Sequence, residues 1–391
     1  MDDCSWRLLY IHISCGFSGG APKLHSQRRA FAIAEMAKTR SMTRNENHGA
    51  SSRKRFKASD DGGSPSWSEV HHDVLFLIMM QLGVVDFLAF SGVCQSWREL
   101  ALANRHKFMS SRQPMSIYMS STGDKKYCYL DDFNGRKFKT ILPTSTFRMC
   151  VGLTSGYLIL FGRRNRDFLL VNPITKHELH FPVYPFYVGT RPSRIRAVLV
   201  YSPSLRGWVF LITVRFSTTV SFSLPGEQSC WKSLSCRFPI CDIHVFKGKI
   251  YILNVNSLLY ETRLGQNPTL TPLKMKNTPD SYLVLPEFVS SDEHIYLMGP
   301  VSGNLYMVQE LDFDNMKWSY PKNTIGEYTL FLGELKCAAA IKPSSWDDSQ
   351  KQFNNPAYSY GGYDKSEKAS PFTGHMWYFP HDCFNVNLLE E

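Results

Sequence analysis

The chain has 391 residues, 43% hydrophobic and 14% aromatic, with a formal net charge of +10. That apolar share can build one large core or two smaller ones, and Gly 25 and Pro 21 are too few for a low-complexity chain. Ten cysteines at scattered spacings, without a C-x-x-C pair, exclude a dense disulfide scaffold and point to reduced thiols, and no apolar run reaches the ~18 residues that span a bilayer.

Residues 1–66 mix Ser, Gly, Asn, Arg and Lys without a sustained hydrophobic period, which reads as a disordered basic tail. Eleven Lys or Arg against six acids fall there, so about half the basic excess sits in a tail and not on a folded face. No later helix or sheet module gathers Arg and Lys on one side, so no nucleic-acid partner is expected. Leu8–Ile13 is short, is interrupted by His12 and follows Asp2 and Asp3, where a signal peptide carries positive charge. Met36 and Met42 open a stretch that reads like an ordinary protein start, and residues 1–35 are expected to add nothing to function. Arg53, Lys54, Arg55 and Lys57 form a short run of the kind import receptors bind, which predicts residence in the nucleus and/or cytoplasm. A solvated basic linker is the competing reading.

Residues 67–102, within a small domain expected over 67–110, carry the helical signal. Leu75, Ile78, Met79 and Leu82 make an i, i+3, i+4, i+7 stripe, widened by Val74 and Leu77. A helix apolar over so much of its circumference is expected to be covered on two sides, one of them by a partner protein. Asp86 is the expected N-cap of a second helix, with Phe87, Phe90, Val93 and Cys94 inward. A third helix carries Trp97, Arg98 and Leu100. His71 and His72 are expected at the start of the first helix.

From residue 115 to 391 short β-rich runs alternate with Gly, Pro, Asn and Asp turns, the pattern of an all-β repeat fold. The runs include YLILF at 157–161, WVFLITV at 208–214, IYIL at 250–253 and IYLM at 295–298. Tyr251 and Tyr296 stand in matching contexts about 45 residues apart, the length of one propeller blade. Trp318 follows a polar turn after such a hairpin, and Trp231 is expected to fill the same position in the preceding blade. The span predicts a propeller-like domain of about six blades.

Three pieces of 67–110 together resemble an F-box: Trp67 through Leu75, Asp86-Phe87-Leu88, and Val93-Cys94-Gln95-Ser96-Trp97-Arg98. Val171-Asn172-Pro173-Ile174-Thr175, Phe246 through Tyr251, Phe331-Leu332-Gly333 with Cys337, and Trp377-Tyr378-Phe379-Pro380-His381-Asp382-Cys383 resemble the plant KIB-type propeller. The resemblance implies a multidomain protein, a three-helix F-box followed by a β-propeller. It implies binding to a Skp1-type adaptor, and through it a cullin–RING ubiquitin ligase, with an unidentified target protein on the propeller. The adaptor-binding residues it implies are Val70, Val74, Leu75, Ile78, Leu82, Leu88, Val93, Cys94, Trp97 and Arg98. Val70-His71 replaces the family's usual Leu-Pro, and Gly83 replaces a second proline; losing both implies looser helix starts and weaker adaptor binding. An F-box-like protein acting as a stoichiometric interaction module is therefore the alternative.

Trp346, Phe353, Tyr358 and Tyr360 lie in a long polar, aromatic loop and are the expected substrate contacts. No cofactor, metal or membrane partner is expected. Cys236, Cys241 and His244, or His375, His381 and Cys383, fit no zinc spacing. No glycine loop carries the Lys that phosphate binding requires, and the expected role is non-catalytic.

Overall fold

The computed structural model describes residues 70–380, apart from 123–124, 133–135, 143–147, 187–193, 227–229, 266, 282, 284, 303–304, 322–327, 334, 336–338, 343–371 and 375. They form two compact units that divide between Arg112 and Gln113.

The first unit is helical: α1 (His72–Met79), α2 (Val84–Ser91), α3 (Gln95–Ala103) and a short α4 (Arg105–Ser110). Leu75 and Met79 of α1 turn inward onto Phe87, Phe90, Trp97, Leu100, Phe108 and Met109. Phe87 stacks on Phe108 at 4.1 Å, and Phe90 lies 4.5 Å from Trp97, so rings from α2, α3 and α4 share one small core with α1. The expected Asp86 cap is corrected: α2 starts earlier, with Gly83 as N-cap and Asp86 in the first turn. Val84 is buried beside Phe87 and Leu88, and seating it on the inner face draws the helix start back. His71 caps α1, its Nδ1 accepting the Asp73 N–H at 3.3 Å.

Among the described residues the second unit holds six sheets, five of four strands and one of three. Blade 1 contains β1 (Met115–Thr122), β2 (Lys125–Asp131) and β3 (Lys137–Leu142). Blade 2 contains β4 (Arg148–Thr154), β5 (Tyr157–Gly162), β6 (Phe168–Val171) and β7 (Glu178–Phe181). Blade 3 contains β8 (Ile195–Ser202), β9 (Gly207–Val214), β10 (Thr219–Ser223) and β11 (Lys232–Ser235). Blade 4 contains β12 (Ile240–Phe246), β13 (Lys249–Asn254), β14 (Leu259–Arg263) and β15 (Thr269–Pro272). Blade 5 contains β16 (Glu287–Ser290), β17 (Ile295–Ser302), β18 (Leu305–Asp312) and β19 (Lys317–Ser319). Blade 6 contains β20 (Thr329–Gly333), β21 (Ala339–Ile341) and β22 (Phe372–Gly374), with β20 and β22 parallel. The last strand, β23 (Met376–Tyr378), pairs with β1 and completes blade 1 from the other end of the domain.

Neighbouring blades meet through β4 and β8, β8 and β12, β12 and β16, β16 and β21, β20 and β23, and β23 and β4, which closes a ring. The middle strands of a blade are covered on both faces by adjacent blades, so β5 and β6 are buried at every position. The outermost β11 and β15 read KSLS and TLTP and lie largely in solvent. The sheets therefore pack face to face through apolar clusters such as Phe168, Leu170, Leu199, Phe210 and Ile212 between blades 2 and 3.

Tyr251 and Tyr296 occupy the second strands of blades 4 and 5, which makes the 45-residue spacing one blade. Trp318 lies in β19 of blade 5 and Trp231 just before β11 of blade 3, so the two are separated by two blades, not the expected one. Asn172 is buried and its Oδ1 accepts the N–H groups of Ile174 and Thr175, each at 3.0 Å; this holds the Asn-Pro turn between β6 and β7. Asn254 repeats the device between β13 and β14.

A buried ionic group fastens blades 3, 4 and 5. Arg196 is 2% exposed and Asp242 0%. Arg196 Nε lies 3.3 Å from Asp242 Oδ1, an ion-pair contact. Arg196 also pairs with Glu287, which Arg215 Nη1 approaches at 3.3 Å. Asp242 Oδ2 accepts the Phe288 N–H at 2.7 Å, and Oδ1 accepts the Ile243 N–H at 2.9 Å. Burial, and next the neighbouring Arg196, hold the Arg215 guanidinium below its ordinary pKa.

Candidate functional site

On the helical unit, α1 separates its apolar residues onto two sides. Leu75 and Met79 are buried, whereas Leu77 is 61% exposed and Val74 48%, with Ile78 and Leu82 half-buried beside them. Val93, in the turn between α2 and α3, is also exposed. Val74, Leu77 and Ile78 are spaced i, i+3, i+4, so they make one continuous face on α1. Together with exposed Val93 they give the helical unit an open apolar surface.

The implied docking residues therefore fall into two groups. Val74, Ile78, Leu82 and Val93 reach the surface, with Val70, Cys94 and Arg98 half-buried. Leu75, Leu88 and Trp97 belong to the interior of the unit, where they hold the helices in position. Arg98 Nε reaches the Ser91 carbonyl at 3.4 Å and so ties α3 to the end of α2. Leu77 widens the stripe in the sequence, and only its exposure marks it as the most open apolar residue of this face.

The two missing prolines leave the backbone unchanged in kind. His71 has φ −57° and ψ 138°, and Gly83 has φ −75° and ψ 168°. Both φ values lie inside the range that proline enforces. Each helix thus starts with the geometry that the usual proline would give it.

The recess lined by Val151, Gly152, Leu153, Ile159, Ile195, Ala197 and Leu335 leaves essentially no room for a water-sized sphere, against the ~300–1,000 Å³ of typical ligand sites. Among the described residues, no three His, Cys, Asp or Glu side chains gather as metal ligands. Cys236 and Cys241 are buried, and His244 bonds Ser290 Oγ at 2.8 Å. The Cys128 thiol is pushed up to about 12 by burial. Tyr157 O–H and His177 Nδ1 lie 2.8 Å apart, and burial lowers the His177 pKa. Trp346, Phe353, Tyr358, Tyr360, Arg53, Lys54, Arg55, Lys57, His375, His381 and Cys383 lie outside the described residues.

A small helical adaptor module on one unit and a ring of blades on the other define the class of F-box propeller proteins. The F-box domain model matches residues 67–108, and the KIB1-4 beta-propeller model matches residues 129–353. The chain belongs to the KIB1-4 β-propeller family, carrying an F-box ahead of the propeller, as plant F-box proteins do.

Among relatives, the chain is 23% identical over 305 residues to the Arabidopsis thaliana F-box/kelch-repeat protein At1g57790, covering 71% of this chain and 80% of that one. It is 22% identical over 289 residues to the Arabidopsis thaliana F-box protein At3g56470, covering 72% and 74%. Of solved structures, a chain of the crystal structure of BBS1N in complex with ARL6DN aligns at 12% identity with a TM-score of 0.31, covering 58% of this chain and 72% of that one. The arrangement is that of an F-box substrate-adaptor type of protein.

Proposed function

We propose that this chain is the substrate-recognition subunit of an SCF-type E3 ubiquitin ligase. Its F-box docks a Skp1-type adaptor, and through it a cullin–RING ligase, and its propeller holds a target protein. The observation that carries the reading is the exposed Val74, Leu77 and Ile78 face on a segment matched by the F-box model. Burying such side chains contributes roughly 1.5–3 kcal/mol each, the scale on which a helix-face dock is built. The chain itself acts without breaking or forming a bond: tethering raises the effective concentration of target beside the transferred ubiquitin. Residence in the nucleus and/or cytoplasm belongs to the same proposal and rests on Arg53, Lys54, Arg55 and Lys57.

The alternative, a stoichiometric module with a weakened dock, draws on the two missing prolines. Proline-like φ at both His71 and Gly83 favours a competent dock instead. The test is capture of a purified Skp1-type adaptor by the full chain and by Leu77→Asp. Wild-type capture should fall by ~30-fold or more in the variant, the cost of a central hot spot. A folded wild type that captures no adaptor would overturn the ligase reading.

A further inference from the structure

In blades 3 to 5 the chain alternates direction, so the turn between the second and third strands and the connection to the next blade emerge on the same side of the ring. Four such loops in blades 3 to 5 are bonded together. Phe216 N–H donates to Ile240 O, and Val255 N–H to Pro239 O, each at 2.8 Å. Arg215 N–H donates to Arg194 O at 2.7 Å, and Arg215 Nη2 reaches Leu285 O at 2.6 Å.

The surface these loops present is apolar. Phe216 is 43% exposed and Leu285 46%, with Val255 and Leu258 open alongside and Phe238 half-buried. Phe216 and Leu285 sit at φ 73° and φ 50°. A large side chain in the left-handed region carries backbone strain, and here that strain holds two apolar side chains toward solvent.

The surface is also one-signed. Residues 215–218, 236–239, 255–258 and 285–286 contain no Asp or Glu. Glu287, just below, is taken by Arg196 and Arg215, and Asp280 receives the Tyr320 hydroxyl at 2.5 Å. Arg194 and Arg237 are exposed at the margin, and Arg237 lies over the Phe238 ring at 5.2 Å.

We propose that this face of blades 3 to 5 docks a short acidic segment of a target protein, seating its apolar side chains on Phe216 and Leu285 and its carboxylates on Arg194 and Arg237. The proposal rests on the substrate-recognition reading above and gives that substrate its chemistry. Val255, Leu258 and Leu285 offer no flat ring for a base to stack on, so the aliphatic content favours a peptide over a nucleic acid.

The test selects random short peptides on phage against the full chain. Selected peptides should be rich in Asp and Glu interspersed with Leu, Phe or Met. Their affinity should fall about tenfold or more for Phe216→Gly with Leu285→Gly, and likewise for Arg194→Glu with Arg237→Glu. Glycine suits both positive-φ positions, so the first pair removes the side chains without straining the fold. No enriched peptide, an enriched pool without acidic residues, or peptides indifferent to both variants would overturn the proposal. So would a mixed-sequence single-stranded oligonucleotide that binds through the arginines and ignores Phe216 and Leu285. Adaptor capture by the same preparation separates the two readings: peptide binding without adaptor binding removes the ligase role alone, and the reverse removes this face alone.

Discussion

Asp242→Ala should loosen three blades at once. The substitution deletes the acceptor of the Phe288 N–H, a 2.7 Å bond that crosses from blade 4 to blade 5. It also leaves Arg196 and Arg215 sharing the single carboxylate of Glu287. Breaking a buried pair by removing one partner costs about 3–5 kcal/mol, because the remaining charge stays out of water. At about 2 °C per kcal/mol for a domain of this size, the propeller transition should fall by about 6–10 °C. Asp242→Asn keeps an oxygen for the Phe288 N–H and removes only the charge, so it should cost less than Ala. A double variant with Arg196→Met should be less destabilised than the sum of the singles, with a coupling of about 0.5–3 kcal/mol. Thermal and urea unfolding of the full chain, followed by circular dichroism, measures each of these proteins. An Asp242→Ala protein within about 1 kcal/mol of wild type, or strictly additive singles, would refute the idea that this group fastens the ring.

Gly83→Pro should steady α2, since φ −75° already suits proline; a gain of about 0.4–1 kcal/mol corresponds to amide exchange in α2 slowed about two- to fivefold, and unchanged or faster exchange would count against it. Because burial lowers the His177 pKa, its contribution to stability is complete above 6.5 and is lost as pH falls through the lowered folded value; His177→Gln should flatten that region of the stability–pH curve, and an unchanged curve would remove His177 as its source. Iodoacetamide should label exposed Cys230 well before buried Cys128, Cys236 and Cys241, read by mass spectrometry, and early labelling of Cys128 would contradict the packing of blade 1.

Local chemistry was what could be read directly from this sequence. The stripe of Leu75 and Met79 identified α1, and the paired contexts of Tyr251 and Tyr296 gave the blade length. Two local readings failed where tertiary packing overrode the rule: Gly83 and not Asp86 caps α2 because Val84 must be buried, and Trp231 lies two blades from Trp318. The short α4 carries only Phe108 and Met109 inward, too little periodicity to announce a helix. Leu75, Leu88 and Trp97 share a motif with the surface residues, and only the packed core separates them from Val74 and Val93. Longer-range features were hidden. Arg196, Asp242 and Glu287 stand near the starts of β8, β12 and β16, close to one blade apart along the chain. A search for charged residues at the blade period would have found them, although nothing local singles them out. Phe216 and Leu285 look like ordinary β-region hydrophobics until the turns place them outside.

The pairing of β23 with β1 also sets a timetable. The helical unit is complete once residue 112 has been made, but blade 1 waits for residues 376–378 to supply its innermost strand. At ribosomal rates of ~5–20 residues per second, that interval is on the order of tens of seconds. During it, the F-box segment can fold while the ring stands open with β1 and blade 6 unjoined. If the proposed adaptor docking holds, a message cut short before β23 would yield a chain able to compete for adaptor yet unable to hold a target in a closed propeller. Early stop codons in this gene are thus expected to give interfering products and not merely absent ones.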